Sequence, residues 1–353
     1  MGDFMVVRVN KKYFTAILLS SFVILSASLI FSLGIIADGT EDKSYIKWAE
    51  INVSYEALRD AAELDIESCD KLYHIEMVDT LSYLAVKNGN NFSSYRKSDI
   101  EKMKEKLGDT YTVDDLMDGN GYYNFYKEVF SAALGGLLGQ YEKQAPDGKG
   151  GKIIKKGYGL IAYSPIAEGF SYSHYDDFGS SRTYGYRRSH LGNDLMGYVG
   201  TPVVAVEGGV VENIGWNNYG GWRLGIRSFD GKRSYYYAHL RKDRPYAEGI
   251  EKGTLVKAGQ VIGYMGMTGY STKENVNGMN VPHLHFGLQL IFNESQKEGE
   301  NQIWLDMYAL VKFLSQNKAT VVKNEETKEY TRVYDIISFN YPKELQKFVT
   351  LPS

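Results

Sequence analysis

The chain has 353 residues, 43% of them apolar, which is long enough for two domains with ordinary cores. A net charge of −3 leaves no basic footprint for nucleic acid. Cys69 is the only cysteine, which excludes an intrachain disulfide, and it reads as a small core or surface residue.

Residues 13–37 are 25 positions without a charged side chain. At about 1.5 Å per residue, a helix of that length spans a bilayer core with some tilt. Arg8, Lys11 and Lys12 precede the run and Asp38, Glu41 and Asp42 follow it. That charge order keeps 1–12 in the cytoplasm and puts the remainder outside. The run is longer than the roughly 7–15 apolar residues of a cleaved signal peptide, so an uncleaved single-pass anchor is expected rather than secretion after cleavage.

Residues 38–142 predict an α-helical extracytoplasmic domain. Met77, Leu81, Leu84 and Ala85 recur at helical spacing, as do Tyr126, Phe130, Ala133 and Leu137. Ser98 with Glu101 reads as a capping box opening a helix toward Lys106, and Gly135-Gly136 interrupts the last helix. His74 reads as a packing histidine, and Glu76 and Asp79 as solvated helix charges. Such a domain would position its neighbour above the membrane, shield that neighbour's cleft or contact a protein partner. The polar stretch 143–157, with Pro146 and a Gly-Lys-Gly-Gly run, predicts a flexible linker.

From 158 to 318 the texture changes to short β-branched and aromatic runs between glycine-rich turns, which predicts a mainly β, largely antiparallel domain. In 281–290 the alternation is clear. His283 and His285 share one face, with Leu284, Phe286, Leu288 and Leu290 on the other. Arg233 to His239 is a β-prone aromatic run. His190 and Asp194 enclose Gly192-Asn193, which argues for a loop entering a strand. Residues 304–316 read as one amphipathic helix, His174 to Asp177 as surface or cleft rim, and 319–353 as a charged tail without motif.

Three short patterns carry the chemistry: His190-x-x-x-Asp194, Ala238-His239 and His283-x-His285. A catalytic zinc takes three protein ligands and keeps a fourth position open, and His190, Asp194 and His285 would supply such a set. His239 and His283 would then stand beside the open position, where proton transfer is needed. One metal and two acid/base histidines make a hydrolase. No His-Glu-x-x-His motif is present, so a helical site with a glutamate base is not indicated.

Around these patterns the sequence contains Gly200-Thr201-Pro202-Val203, Asn218-Tyr219-Gly220 and Thr268-Gly269-Tyr270-Ser271-Thr272, in order with all three metal-ligand motifs. Over about 100 residues it resembles the lysostaphin/LytM-type zinc endopeptidases of bacterial cell walls. The resemblance implies a compact antiparallel β-sandwich-like domain and one Zn²⁺ per chain held by His190, Asp194 and His285. It makes His239 and His283 the catalytic histidines and peptidoglycan peptides the substrate. Tyr184, six residues before His190, stands where some members place a tyrosine that steadies the transition state. In a chain with 29 tyrosines, a packing or surface role is the plainer reading. Two departures concern specificity: the inserted stretch 273–281, which should border the cleft, and Gly287, where many members carry a longer side chain. The expected function is a membrane-anchored zinc endopeptidase. The alternative is a non-catalytic wall- or partner-binding scaffold, or a regulator of another wall hydrolase, on the same fold.

Overall fold

A computed structural model describes residues 45–108 and 111–348. The expected cytoplasmic tail and membrane span lie outside these residues, and among the described residues no helix is long and apolar enough to cross a membrane.

The first part is helical, as its periodicity predicts: α1 (Tyr55–Ser68), α2 (Met77–Asn88), α3 (Ser98–Leu107), α4 (Val113–Leu116) and α5 (Gly121–Leu134). Ser54 caps α1 by accepting from the Ala57 N–H. α2 ends at Gly89, whose φ of 59° is the left-handed cap that favours glycine. Met77, Leu81, Leu84 and Ala85 are buried together with Phe130 and Ala133 of α5.

The side chains differ from expectation at Ser98 and Asp79, and at His74 a polar bond adds to the expected packing. Ser98 is already inside α3 and makes no capping box, because the backbone turns helical at Lys97. Asp79 is not solvated: it pairs with Lys127 at 2.8 Å with little exposed surface, and burial pushes its carboxyl above the ordinary range. His74 packs edge-on against Tyr158 and also bonds the buried Asp65 at 2.7 Å, while Asp65 accepts from the Met77 N–H that starts α2.

The stretch read as a linker is instead an antiparallel hairpin. Strand Leu138–Pro146 pairs throughout with Lys152–Leu160, turning at Asp147, whose carboxylate accepts from the N–H groups of Lys149 and Gly151. The charged tail is folded over 319–348. Ile336–Ser338 adds to the hairpin at Tyr141–Lys143, and Asp335 forms a buried pair with Lys257 at 2.8 Å. The hairpin is hard to see in the sequence because its second strand is largely exposed and lacks apolar alternation, and the tail strand because its partner lies nearly two hundred residues earlier.

The mainly β part is built on an eight-stranded antiparallel sheet. Seven strands run in spatial order Leu255–Val256, Gly209–Asn217, Gly221–Ser228, Arg233–Ala238, His283–Leu290, Asn193–Met196 and Ser173–His174, and Ile303–Leu305 pairs with the far end of His283–Leu290. Leu224, Ile226, Tyr235, Tyr237, Leu284, Phe286, Leu288 and Leu290 fill its inner face without solvent contact. The other face stays open and carries the histidines. The helix expected over 304–316 is two elements, the strand Ile303–Leu305 and the short α6 (Tyr308–Leu314).

Helices and sheet meet at Arg233, which is 1% exposed. Its guanidinium forms a two-pronged pair with Glu207 at 2.8 and 2.9 Å, bonds Asp230 at 2.8 Å, and donates to the Ala132 carbonyl at 2.6 Å. Ala132 is in the last turn of α5, where helix carbonyls lack intrahelical partners.

Candidate metal centre

Two neighbouring strands set the centre. His285 on His283–Leu290 faces Asp194 on Asn193–Met196 in register, and His190 comes from the loop just before that second strand. Their donor atoms converge. His190 Nε2 lies 2.7 Å from His285 Nδ1 and 3.1 Å from Asp194 Oδ1, and His285 Nδ1 lies 3.3 Å from the same carboxylate oxygen. Among the described residues, these three form a group of metal-type donors all within 4.8 Å of one another.

The residues fit one divalent cation. Ligand atoms placed tetrahedrally at about 2.0–2.1 Å from zinc stand roughly 3.3 Å apart, close to the separations seen. Burial would push the Asp194 carboxyl up, but hydrogen bonds from His190 and His285 win and hold it well below the ordinary carboxylate range. His285 is pushed down, first by burial. An ionised Asp194 beside a His285 ring that resists protonation favours cation binding.

His239 and His283 are brought to the same place, with ring centroids 4.7 Å apart. Each is anchored by a backbone carbonyl. His239 Nδ1 lies 2.7 Å from the Thr268 oxygen, and His283 Nδ1 lies 2.8 Å from the Val281 oxygen. A carbonyl only accepts, so each Nδ1 carries a proton, and in a neutral ring so anchored Nε2 is the acceptor. The His283 Nε2 points inward, 3.8 Å from Asp194 Oδ1. His239 ends its strand with a φ of 59°, an uncommon backbone for a non-glycine residue that turns its ring off the sheet ladder. Burial and the neighbouring histidines push its ring well below the ordinary histidine range, so it is neutral near pH 7.

Tyr184 is not brought into this cluster. Its ring stacks on Tyr270 at 4.6 Å and 5°, and it stands partly exposed at the rim. Two residues that the sequence reading passed over do reach the centre. Asp177, expected at the surface or rim, has Oδ2 3.2 Å from His190 Nδ1, on the ring edge away from the donor cluster. Arg182 bonds Asp177 at 2.7 Å and Asp194 Oδ2 at 3.1 Å. A carboxylate behind a ligating histidine fixes its tautomer and ring plane. No spacing rule marks Asp177, because the contact depends on how the 174–189 loop folds back.

The centre opens into a groove of about 480 Å³ along the open face of the sheet, lined by residues including Arg188, Tyr219, Arg223, Tyr236 and Trp304. Met279 of the inserted stretch lines it, as expected of that loop. Gly287 is small because Trp304 lies over it: an added Cβ would come within 3.0 Å of the indole ring. None of the described residues in 45–142 lines the groove.

Two imidazoles and a carboxylate aimed at one point, with two more imidazoles at the open side of an antiparallel sheet, form the donor set that a single-metal hydrolytic site would need. Residues 188–298 match Peptidase family M23, and this part of the chain is similar to lysostaphin/LytM-type proteins. It is 34% identical over 183 residues to the L-Ala–D-Glu endopeptidase of Bacillus subtilis, covering 51% of either chain. It is 42% identical over 98 residues to lysostaphin of Staphylococcus staphylolyticus, covering 28% of this chain and 18% of that one. A lytM crystal structure from Ruminococcus gnavus shares the fold, with a TM-score of 0.51 and 24% identity over 78% of this chain and 92% of that chain. The chain thus spans about half the length of one of these curated relatives and less of the other.

Proposed function

We propose that the protein is a zinc-dependent endopeptidase that hydrolyses peptide bonds in bacterial peptidoglycan, in stem peptides or cross-bridges. The observation that carries this reading is the convergence of His190, Asp194 and His285, with His239 and His283 at the open side. Zinc held there would make a hydroxide-like water available near neutral pH and polarise the scissile carbonyl. The protein's own residues would do the rest. His239 and His283, both with Nε2 free to accept, take a proton from the attacking water, hold the developing oxyanion and return a proton to the leaving amine. The wall-peptide substrate is supported by the names of two relatives, an L-Ala–D-Glu endopeptidase of B. subtilis and a peptidoglycan DD-endopeptidase of Vibrio cholerae.

Location follows from residues 13–37. A charge-free run of 25 residues with basic residues before it and acidic ones after supports a single-pass anchor, with the helical and peptidase parts outside the membrane. The helical part then serves as a spacer or a contact surface for a protein partner.

The test uses the full chain in detergent, assayed for bound metal and for new amino termini released from purified walls. The parent should bind one zinc and turn over. His285→Ala should lose both metal and activity. His239→Ala should keep the metal and lose roughly 10²–10⁴-fold in rate, the usual worth of an acid/base group. Metal without cleavage of any wall type would favour a binding scaffold, and a parent without metal would overturn the reading.

A further inference from the structure

Four cationic side chains line the groove: Arg182, Arg188, Arg223 and Lys297. Three are occupied. Arg182 pairs with Asp177 and Asp194, and Lys297 pairs with Glu212 and Glu294. Arg188 donates to the Tyr184 carbonyl at 2.7 Å and lies 4.5 Å over the Tyr219 ring. Arg223 is different. Its Nε is shielded from solvent and has no hydrogen-bond partner, and among the described residues no carboxylate pairs with its guanidinium. A guanidinium carries five N–H donors in a fixed fork, and burying one of them unpaired costs stability unless something else accepts from it. The missing acceptor is the informative part.

The surroundings say where that acceptor would come from. Arg223 precedes Leu224, which pairs with Tyr237, and the next residue along that strand, Ala238, pairs with His285. Two strand spacings, about 10 Å, therefore separate the Arg223 backbone from that of His285. Tyr236 stands between the two places, and its ring meets His285 edge-on at 5.7 Å. Gly225 and Gly287 flank Tyr236 on the neighbouring strands and leave room for Asn213 and Trp304 to lie over them. An extended peptide advances about 3.3 Å per residue, so a group at Arg223 belongs to a residue within about three of the bond being cut.

We infer that Arg223 is a specificity-determining residue that binds a substrate carboxylate lying within three residues of the scissile bond. This rests on the proposed peptidase function and adds which peptides the groove prefers. The carboxylate has two sources, an acidic side chain or a free peptide C-terminus, and either would take the two-pronged geometry of a guanidinium.

The experiment uses wall peptides in four forms, with the acidic side chain free or amidated and the C-terminus free or amidated. The full-length parent is assayed for cleavage. Full-length His239→Ala is titrated with each form by calorimetry, so that binding is read without turnover. One carboxylate form should be favoured over its amide by about tenfold or more in both assays, as for a charge-assisted bond. The form that carries the preference identifies the source. Arg223→Gln should bring that ratio close to one, and Arg223→Lys, which keeps charge but not the fork, should leave an intermediate ratio. Equal affinity for all four forms, or a preference that survives Arg223→Gln, overturns the inference. If the parent cleaves none of the peptides, the peptidase function fails while the titration still decides the role of Arg223.

Discussion

The strand Arg233–Ala238 has a buried polar cluster at each end, and the two are built in opposite ways. At its start, the Arg233 guanidinium is surrounded by acceptors: Glu207, Asp230 and the Ala132 carbonyl. Just past its end, His239 joins three other histidines and Asp194, with ring nitrogens facing one another and only their outer nitrogens held by carbonyls or Asp177. The first cluster is closed, with donors matched to acceptors inside the protein. The second turns its donor atoms toward one point that opens into the groove. Polar groups buried for stability satisfy each other, whereas polar groups buried for chemistry aim at a point the chain itself does not fill.

Breaking the closed cluster should cost the fold. Arg233→Met leaves Glu207 buried without its partner and frees the end of α5, so unfolding in denaturant should show a loss of about 3–5 kcal/mol. Metal content of the folded fraction should stay unchanged, because the strand end carrying His239 is not touched. A loss under about 1 kcal/mol would mean that water reaches Glu207 and the cluster is not closed. Breaking the support of the open cluster should cost less. Asp177→Asn keeps the shape but weakens the grip on His190 Nδ1, and competition with a chelator should show metal affinity lower by about 10–100-fold. Unchanged affinity would show that the Asp177 main-chain oxygen, 3.1 Å from the same nitrogen, suffices.

The same contrast explains what the sequence discloses. The strand with His283 and His285 was readable because Leu284, Phe286, Leu288 and Leu290 alternate against it, so the inner face dictates where the histidines point. α2 was readable from Met77, Leu81 and Leu84 for the same reason. Asp177 and Arg223 were not, because each acts through a contact made across strands or loops, and neither lies in a periodic pattern. The hairpin at 138–160 was missed because Lys152 to Lys156 is exposed and lacks alternation, and its pairing is visible only once Leu138–Pro146 lies beside it. Similarly, Ile336–Ser338 finds its place on residues nearly two hundred positions earlier.

Tyr184 allows the smallest and sharpest test. Its ring is stacked face to face on Tyr270, and Tyr270 in turn meets His239 edge-on at 6.0 Å. If Tyr184 acts through this stack, the ring matters and the hydroxyl does not. Tyr184→Phe should then leave kcat and KM on wall peptides unchanged, while Tyr184→Ala should remove about 0.5–1.5 kcal/mol of aromatic packing. That loss should appear mainly in KM, as the groove wall at Tyr270 loosens. The opposite pattern, a large fall in kcat for Tyr184→Phe alone, would mean that the hydroxyl swings from the rim to the reacting carbonyl once substrate is bound. The rim would then belong to the open cluster rather than to its surroundings.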